Sequence, residues 1–112
     1  MVDNRLHNHN ELCREVLLFL HQHFTGRFWQ NETGAVKGAD GRFQRYGMIG
    51  STDIIGHTGQ GRAVYIEVKT NTGRLKPDQI RFRDMVQSSG CIHFVARENF
   101  RDEIFNIGLV CK

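Results

Sequence analysis

Residues 62–70 alternate between apolar and polar side chains, and this restricts the fold more than any other part of the sequence. Successive side chains of a β-strand point to opposite faces, so the alternation predicts a strand with one face in the core and the other carrying charge. The core face holds Val64, Ile66 and Val68, and the other face holds Tyr65, Glu67 and Lys69. A short strand over residues 53–56 precedes it, and the Gly-rich turn at 58–61 joins the two into a predicted hairpin.

Helical and strand patterns occupy most of the remaining chain. Apolar residues three and four positions apart, such as Leu12 and Val16, predict an amphipathic helix over residues 11–24. A second helix over 77–89 is predicted to begin at Pro77, which needs no N–H partner in a first turn, and to end before Gly90. Further predicted elements are strands over 27–31 and 91–96 and a short helix over 99–106, followed by apolar residues 107–111 that are not assigned to an element.

Residues 32–50 carry five of the twelve glycines of the chain, together with Lys37, Arg42 and Arg45. This composition predicts a long basic loop, and long loops in compact domains usually serve a function. Among the nearby aromatic residues, Phe28 or Trp29 is expected in the core, and Phe43 is a candidate for stacking on nucleic-acid bases.

The length of 112 residues predicts one domain over residues 1–112. The longest apolar run, Val16–Leu20, is far shorter than the roughly 18 residues of a membrane span, so a soluble, cytoplasmic protein is expected. The odd set Cys13, Cys91 and Cys111 predicts buried free thiols, without a disulfide framework or a zinc ribbon. The net charge of +3 is compatible with a polyanionic partner.

Six histidines prompt the question of a zinc or histidine-metal site. His7 and His9 fall in a polar N-terminal segment that is expected to fray, and the sequence has no cysteine or histidine pairs at zinc-ligand spacing. The sequence therefore favours a site without histidine ligands.

Three charged residues on the predicted hairpin are suited to chemistry. Asp53 begins the first strand, and Glu67 and Lys69 project from one face of the second strand, roughly 7 Å apart. If the turn brings Asp53 beside Glu67, the two carboxylates offer hard oxygen ligands for Mg²⁺ or Mn²⁺, and their repulsion favours a cation. Lys69 can then hold or deprotonate an attacking water. The alternative is that Glu67 and Lys69 are solvated charges on an exposed strand.

The order of these elements, a helix, three strands, a basic helix and a fourth strand, resembles that of the PD-(D/E)XK nuclease superfamily. Over about residues 11–97 the chain is more narrowly similar to the VRR-Nuc (virus-type replication-repair nuclease) family. The motifs that carry the resemblance are Asn31-Glu32-Thr33-Gly34, Gly50-Ser51-Thr52-Asp53-Ile54, Ile66-Glu67-Val68-Lys69-Thr70 and Gly73-Arg74-Leu75-Lys76-Pro77-Asp78-Gln79. The resemblance implies an α/β fold of the restriction-endonuclease type, with a central mixed sheet of about four strands flanked by helices in the order αβββαβ.

The resemblance also implies roles for individual residues. Asp53 and Glu67 are expected to bind the metal, with the backbone carbonyl of Val68 as a third ligand, and Lys69 is expected to activate water. Gln79, which opens the second helix, is expected to orient the lysine or the scissile phosphate, with a solvent-exposed helix residue as the alternative.

The family also places an acid or glutamine on the first helix. Glu15 is the predicted match because it lies at the edge of the buried stripe, Glu11 is the alternative, and either can instead be a solvated residue. Lys76 departs from the small residue that usually precedes the helix proline, which weakens the helix start but adds a phosphate contact. The predicted DNA contacts are Lys37, Arg42, Arg45, Arg74 and Lys76.

Together these features imply a Mg²⁺- or Mn²⁺-dependent structure-specific DNA endonuclease of a bacterial or phage-infected cell, without a small-molecule cofactor. The most specific expectation is a homodimeric resolvase of four-way (Holliday) junctions. The alternatives are a non-catalytic DNA-binding module and a nuclease of the same chemistry acting on flaps, single strands or RNA. The C-terminal apolar residues, expected either to cover a partner subunit or to complete the core of the monomer, are Ile104, Phe105, Ile107, Leu109 and Val110.

Overall fold

A computed structural model describes residues 7–112, in which five consecutive strands lie between the first two helices. The strands are β1 Arg27–Gln30, β2 Gly34–Lys37, β3 Phe43–Tyr46, β4 Ile54–His57, β5 Ala63–Val68 and β6 Ile92–Ala96. The helices are α1 His9–His23, α2 Pro77–Ser88 and α3 Phe100–Glu103, which continues into a 3-10 turn at Ile104–Asn106. The strands form a four-stranded mixed sheet in the order β1-β4-β5-β6 and a separate hairpin, β2-β3. The mixed α/β class and the four-stranded sheet are as predicted.

The four-stranded sheet combines antiparallel and parallel pairs. β4 pairs antiparallel with both β1 and β5, so the predicted hairpin is confirmed as β4-β5. β6 pairs parallel with β5, and α2 lies in the crossover between them, as a parallel connection requires.

The core lies between the sheet and α1. Val64, Ile66 and Val68 are fully buried, as their alternation predicts. They belong to one cluster with Leu12, Val16 and Leu20 of α1 and with Phe94, Phe100 and Ile104. Each such side chain contributes roughly 1.5–3 kcal/mol by burial, so the β5-α1 contact anchors the strand that carries Glu67.

The opposite face of β5 is covered by α2. Phe82 of α2 packs edge-on against Tyr65, with ring centroids 5.2 Å apart. Glu67 on this face is only 4 % exposed. The alternative that Glu67 is a solvated charge on an exposed strand is therefore wrong, because α2 shields this residue from water.

The segment predicted as a long basic loop instead contains the β2-β3 hairpin, with Gly34 opposite Tyr46 and Lys37 opposite Phe43. All eight strand residues of this hairpin are exposed, so no periodic apolar face marks it in the sequence. Of the two aromatic residues considered for the core, Phe28 is buried and Trp29 is half exposed.

Three of the five C-terminal apolar residues pack in or against the core of the monomer. Ile104 is fully buried, and Ile107 and Leu109 pack against the core cluster. The N–H of Thr25 donates to the Val110 carbonyl at 2.7 Å, which ties the end of the chain to the segment after α1. Phe105 remains 47 % exposed.

The prediction of buried thiols holds for Cys13 alone, because Cys91 is half-buried and Cys111 is exposed. Of the helices described, none combines the length and apolarity needed to cross a bilayer.

Candidate active site

Asp53 lies immediately before β4, opposite Glu67 of β5. The antiparallel pair Ile54 and Ile66 sets this register, and one step further along the ladder brings the two acids across from each other. The Val68 N–H donates to Asp53 Oδ2 at 2.8 Å, which fixes the aspartate carboxylate beside β5. The structure thus brings the two predicted acids together.

Asn31 positions the chain segment that carries Asp53. Its backbone N–H donates to the Asp53 carbonyl at 2.7 Å, and its side-chain amide donates to the Thr52 carbonyl and to Ser51 Oγ, both at 2.9 Å. The Thr52 hydroxyl is buried and donates to the Ile54 carbonyl. These bonds give Asn31 a structural role in holding the strand start that carries Asp53.

Glu67 has two carboxylate oxygens in unlike environments. Oε1 accepts from Gln79 Nε2 at 3.1 Å and lies 3.8 Å from Lys69 Nζ. Oε2 is buried and has no hydrogen-bond partner among residues 7–112. Burial, followed by the neighbouring Asp53 carboxylate, raises the pKa of Glu67 to about 8 against the opposing effect of Lys69. A buried carboxylate oxygen without a donor is costly, so this site favours a cation.

Gln79 is held by the first turn of α2. The Lys76 N–H donates to Gln79 Oε1 at 2.9 Å, which leaves the Nε2 donors of the amide facing Glu67. A glutamine at this third position satisfies an otherwise unpaired N–H at the helix start, and Pro77 removes another. Lys76 therefore does not prevent the helix from starting, although its side chain cannot accept a capping bond.

Gly50 lets the chain before Asp53 approach α2. Its φ is +82°, a conformation that favours glycine, and a Cβ at this position would collide with the Asp78 backbone. The loop that leads to Asp53 therefore rests directly on the helix turn that carries Gln79.

Lys69 follows β5 and lies within the same site. Its backbone N–H donates to the Ala96 carbonyl at 2.9 Å, and its side chain is 14 % exposed. The ammonium group is therefore held close to Glu67 in a largely shielded position, unlike a solvated surface lysine.

Two residues of α1 also reach Asp53, and neither was expected to do so. His9 Nε2 lies 3.4 Å from Asp53 Oδ1, and Cys13 Sγ lies 3.9 Å from His9 Nε2. One ligand atom from each of these three residues falls within 4.8 Å of the others. The expectation that His9 lies in a frayed segment is wrong, because the Asn8 side chain accepts the Glu11 N–H and caps α1 two residues earlier than predicted. The four-residue spacing of His9 and Cys13 is the sequence signal that indicates a shared helix face.

The side chain of Glu15 does not point toward Asp53. Its carboxylate pairs with Arg101 at 2.6 Å and lies 3.8 Å from His7 Nε2. Two helix positions correspond to about 200°, so Glu15 and Cys13 lie on different faces of α1. The alternative residue, Glu11, bonds with Asn8 at the start of the helix. The structure brings neither glutamate into the group around Asp53.

Five predicted DNA contacts are exposed cations, and none of their side chains forms an ion pair within residues 7–112. Three of them surround or lie on the β2-β3 hairpin, and two lie between β5 and the start of α2. They are Lys37, Arg42, Arg45, Arg74 and Lys76.

The site residues fit a divalent cation. Asp53 and Glu67 supply hard oxygen donors, and the unpartnered Oε2 of Glu67 is the atom that a bound ion would satisfy. Two close carboxylates with a shielded lysine beside them are suited to metal-assisted hydrolysis, in which a bound ion activates a water.

The comparison with protein families agrees with this class. The family model described as the VRR-NUC domain matches residues 4–99, and the chain belongs to the VRR-NUC family. No curated protein matches the chain. Family membership gives the chain a nuclease-type function with DNA as the implied substrate, and nucleases of this family typically use divalent metals.

Proposed function

We propose that this chain is a Mg²⁺- or Mn²⁺-dependent endonuclease that hydrolyses DNA phosphodiester bonds, with Asp53 and Glu67 as the metal-binding carboxylates. The observation that carries the proposal is the buried Glu67 Oε2, which lacks a partner within residues 7–112 and lies beside a second carboxylate. The backbone carbonyl of Val68 is proposed as a third ligand. The order helix, three strands, helix, strand in the elements that build the four-stranded sheet supports a PD-(D/E)XK core.

The site residues are proposed to have separate roles in hydrolysis. A divalent ion held by Asp53 and Glu67 would polarise the phosphate and lower the pKa of an attacking water. Lys69 places an ammonium group 3.8 Å from Glu67, where it can orient that water and offset negative charge on the phosphate. Gln79 holds Glu67 through its Nε2 donor and so keeps the carboxylate in one orientation.

The β2-β3 hairpin is proposed to hold the DNA. Arg42 and Arg45 are exposed, and Phe43 between them is 74 % exposed. Cations bind backbone phosphates, and an exposed aromatic ring can stack on an unpaired base. Branched DNA offers both features, so this surface supports a structure-specific nuclease.

Within this class we propose a homodimeric resolvase of four-way junctions. A two-fold dimer presents two sites to a symmetric substrate. Because Ile104, Ile107 and Leu109 are used in the core of the monomer, another apolar surface is the better candidate for the dimer contact. Met48 and Ile49 line one depression with Met85 of α2, and each of these side chains is about half exposed. Exposed apolar surface of this kind is typical of protein contacts.

The test compares cleavage of a four-way junction, a 5′ flap and a linear duplex in Mg²⁺ and in Mn²⁺. Asp53→Asn and Glu67→Gln should each lose metal-stimulated cleavage, because each removes a ligand charge, while circular dichroism stays unchanged. Glu103→Gln, which neutralises an exposed acid of α3, is the matched control and should cleave normally.

Full activity in Asp53→Asn or Glu67→Gln would overturn the assigned site. DNA binding without cleavage by the unmodified chain in either metal would favour a non-catalytic DNA-binding module. Preference for the flap, or for single strands or RNA, would remove the resolvase assignment and leave the metal-dependent chemistry in place.

A further inference from the structure

We propose that His9 is a metal ligand of this site, and that its nitrogen makes the site prefer Mn²⁺ to Mg²⁺. The inference rests on the proposed function, since it extends the ligand set of Asp53 and Glu67. It replaces the carboxylate or glutamine that was expected from the first helix, which neither Glu15 nor Glu11 supplies in this structure.

The position of His9 is set by the start of α1. Asn8 caps the helix, so His9 occupies the first helical position and is held by the turn. From there Nε2 reaches to 3.4 Å from Asp53 Oδ1, while Asp53 Oδ2 accepts the Val68 N–H. The aspartate is therefore fixed on one side by β5, and its other oxygen faces the imidazole.

An ion pair between His9 and Asp53 does not explain why the buried Glu67 Oε2 lacks a partner. Glu67 is only 4 % exposed, and its Oε2 has no hydrogen-bond partner among residues 7–112. The ligand atoms of His9 and Asp53 belong to one group within 4.8 Å, and Glu67 lies across from Asp53. A cation held by Asp53 and His9 would offer Glu67 Oε2 a partner and relieve the repulsion of the two acids. A protonated His9 paired with Asp53 alone leaves Glu67 Oε2 unsatisfied.

The donor set determines the choice of ion. Mg²⁺ favours oxygen ligands and retains its waters, whereas imidazole binds first-row transition ions more readily. Cys13 lies beside both His9 and Asp53, with Sγ 3.9 Å from His9 Nε2, and packs within the core cluster. Two oxygen donors and one nitrogen donor therefore favour Mn²⁺ over Mg²⁺ compared with a site of carboxylates alone.

The test measures metal binding by the purified chain without DNA. Isothermal titration with Mn²⁺ and with Mg²⁺ gives the ratio of affinities, and pulsed electron paramagnetic resonance of bound Mn²⁺ detects coupling to a ligand ¹⁴N nucleus. His9→Ala should lower Mn²⁺ affinity by at least about tenfold, reduce Mg²⁺ affinity less and abolish the ¹⁴N coupling. His9→Glu should restore Mg²⁺ binding and lower the Mn²⁺ to Mg²⁺ affinity ratio.

His57→Ala is the matched control, because His57 is an exposed histidine at the other end of β4, and it should bind both ions like the unmodified chain. The role of His9 would be overturned by either of two results. One is Mn²⁺ binding that requires Glu67 but shows no ¹⁴N coupling, and the other is Mn²⁺ binding that is unchanged in His9→Ala. Both results would leave the proposed function standing. Failure of the unmodified chain to bind either ion would overturn both proposals.

Discussion

Lys69 is proposed to act in the cleavage step and to contribute little to DNA affinity. It is 14 % exposed and held beside Glu67, so it is poorly placed to attract DNA from solution. We predict that Lys69→Ala lowers the single-turnover cleavage rate by roughly 10²–10⁴-fold, the range expected on removal of a proton-transfer or charge-stabilising group. DNA affinity should change little, because the proposed interaction forms in the transition state.

The measurement pairs single-turnover kinetics with equilibrium binding of the same DNA. Arg74→Ala is the control, because it removes an exposed cation and should weaken binding while the rate of the bound complex is retained. If Lys69→Ala instead loses affinity at an unchanged bound rate, Lys69 is a phosphate contact.

The sequence predicts the strand face of Glu67 and its position beside Asp53, but not its burial. Alternation along β5 assigns its face, and the register of the β4-β5 hairpin brings it to Asp53. Its burial depends on α2 folding back over the strand, which no local pattern specifies. His9 was missed for a local reason, since the Asn8 cap extends the helix beyond the apolar periodicity used to place its start.

At the level of elements, the β2-β3 hairpin is the part of the fold that the sequence did not predict. Its strands are four residues long and exposed on both faces, so they lack the alternation by which β5 was found. Its pairing comes from backbone bonds across the turn, such as the Gly38 N–H donating to the Arg42 carbonyl at 2.7 Å. Composition alone therefore distinguishes this segment from its neighbours but does not show that it forms strands.

We predict that the hairpin contributes to the salt dependence of DNA binding. Removing one cation that neutralises a phosphate should reduce the slope of log affinity against log salt by roughly 0.9. Arg42→Gln should therefore give a shallower slope than the unmodified chain, whereas Arg14→Gln, an exposed cation on α1, should not. A slope unchanged by Arg42→Gln would remove the hairpin from the DNA surface.

The packing of α2 against β6 predicts a dependence of stability on pH. Burial, then the Arg83 guanidinium, lowers the pKa of His93 to about 4, with Asp84 acting in the opposite direction. The unfolded chain protonates His93 near its ordinary pKa of about 6.5. Between about pH 6.5 and pH 4 the unfolded state therefore binds a proton on His93 that the folded state does not bind. The free energy of unfolding should fall as pH falls through that window, and His93 should leave it constant at higher pH.

Thermal unfolding of the unmodified chain and of His93→Gln across this range measures the effect. His93→Gln should lose less stability on acidification, and His57→Gln, at an exposed position, should behave like the unmodified chain. Equal acid sensitivity of all three would contradict the burial argument.

For the whole molecule, the proposed dimer depends on the apolar surface near α2. We predict a mass in solution of twice 12.9 kDa, and dissociation to the monomer in Met85→Glu, which places a charge among Met48, Ile49 and Phe82. Phe105→Glu is the control, since Phe105 is about as exposed but lies outside this surface. Light scattering gives the mass, and a monomeric unmodified chain would contradict the dimer.

The central claim is that Asp53 and Glu67 hold the divalent ion on which cleavage depends. The most direct measurement is anomalous diffraction from crystals of the chain soaked in Mn²⁺. The account predicts an anomalous peak between the carboxylates of Asp53 and Glu67, and its loss in Glu67→Gln. Mn²⁺ bound only elsewhere, or no peak in a chain that still cleaves DNA, would contradict it.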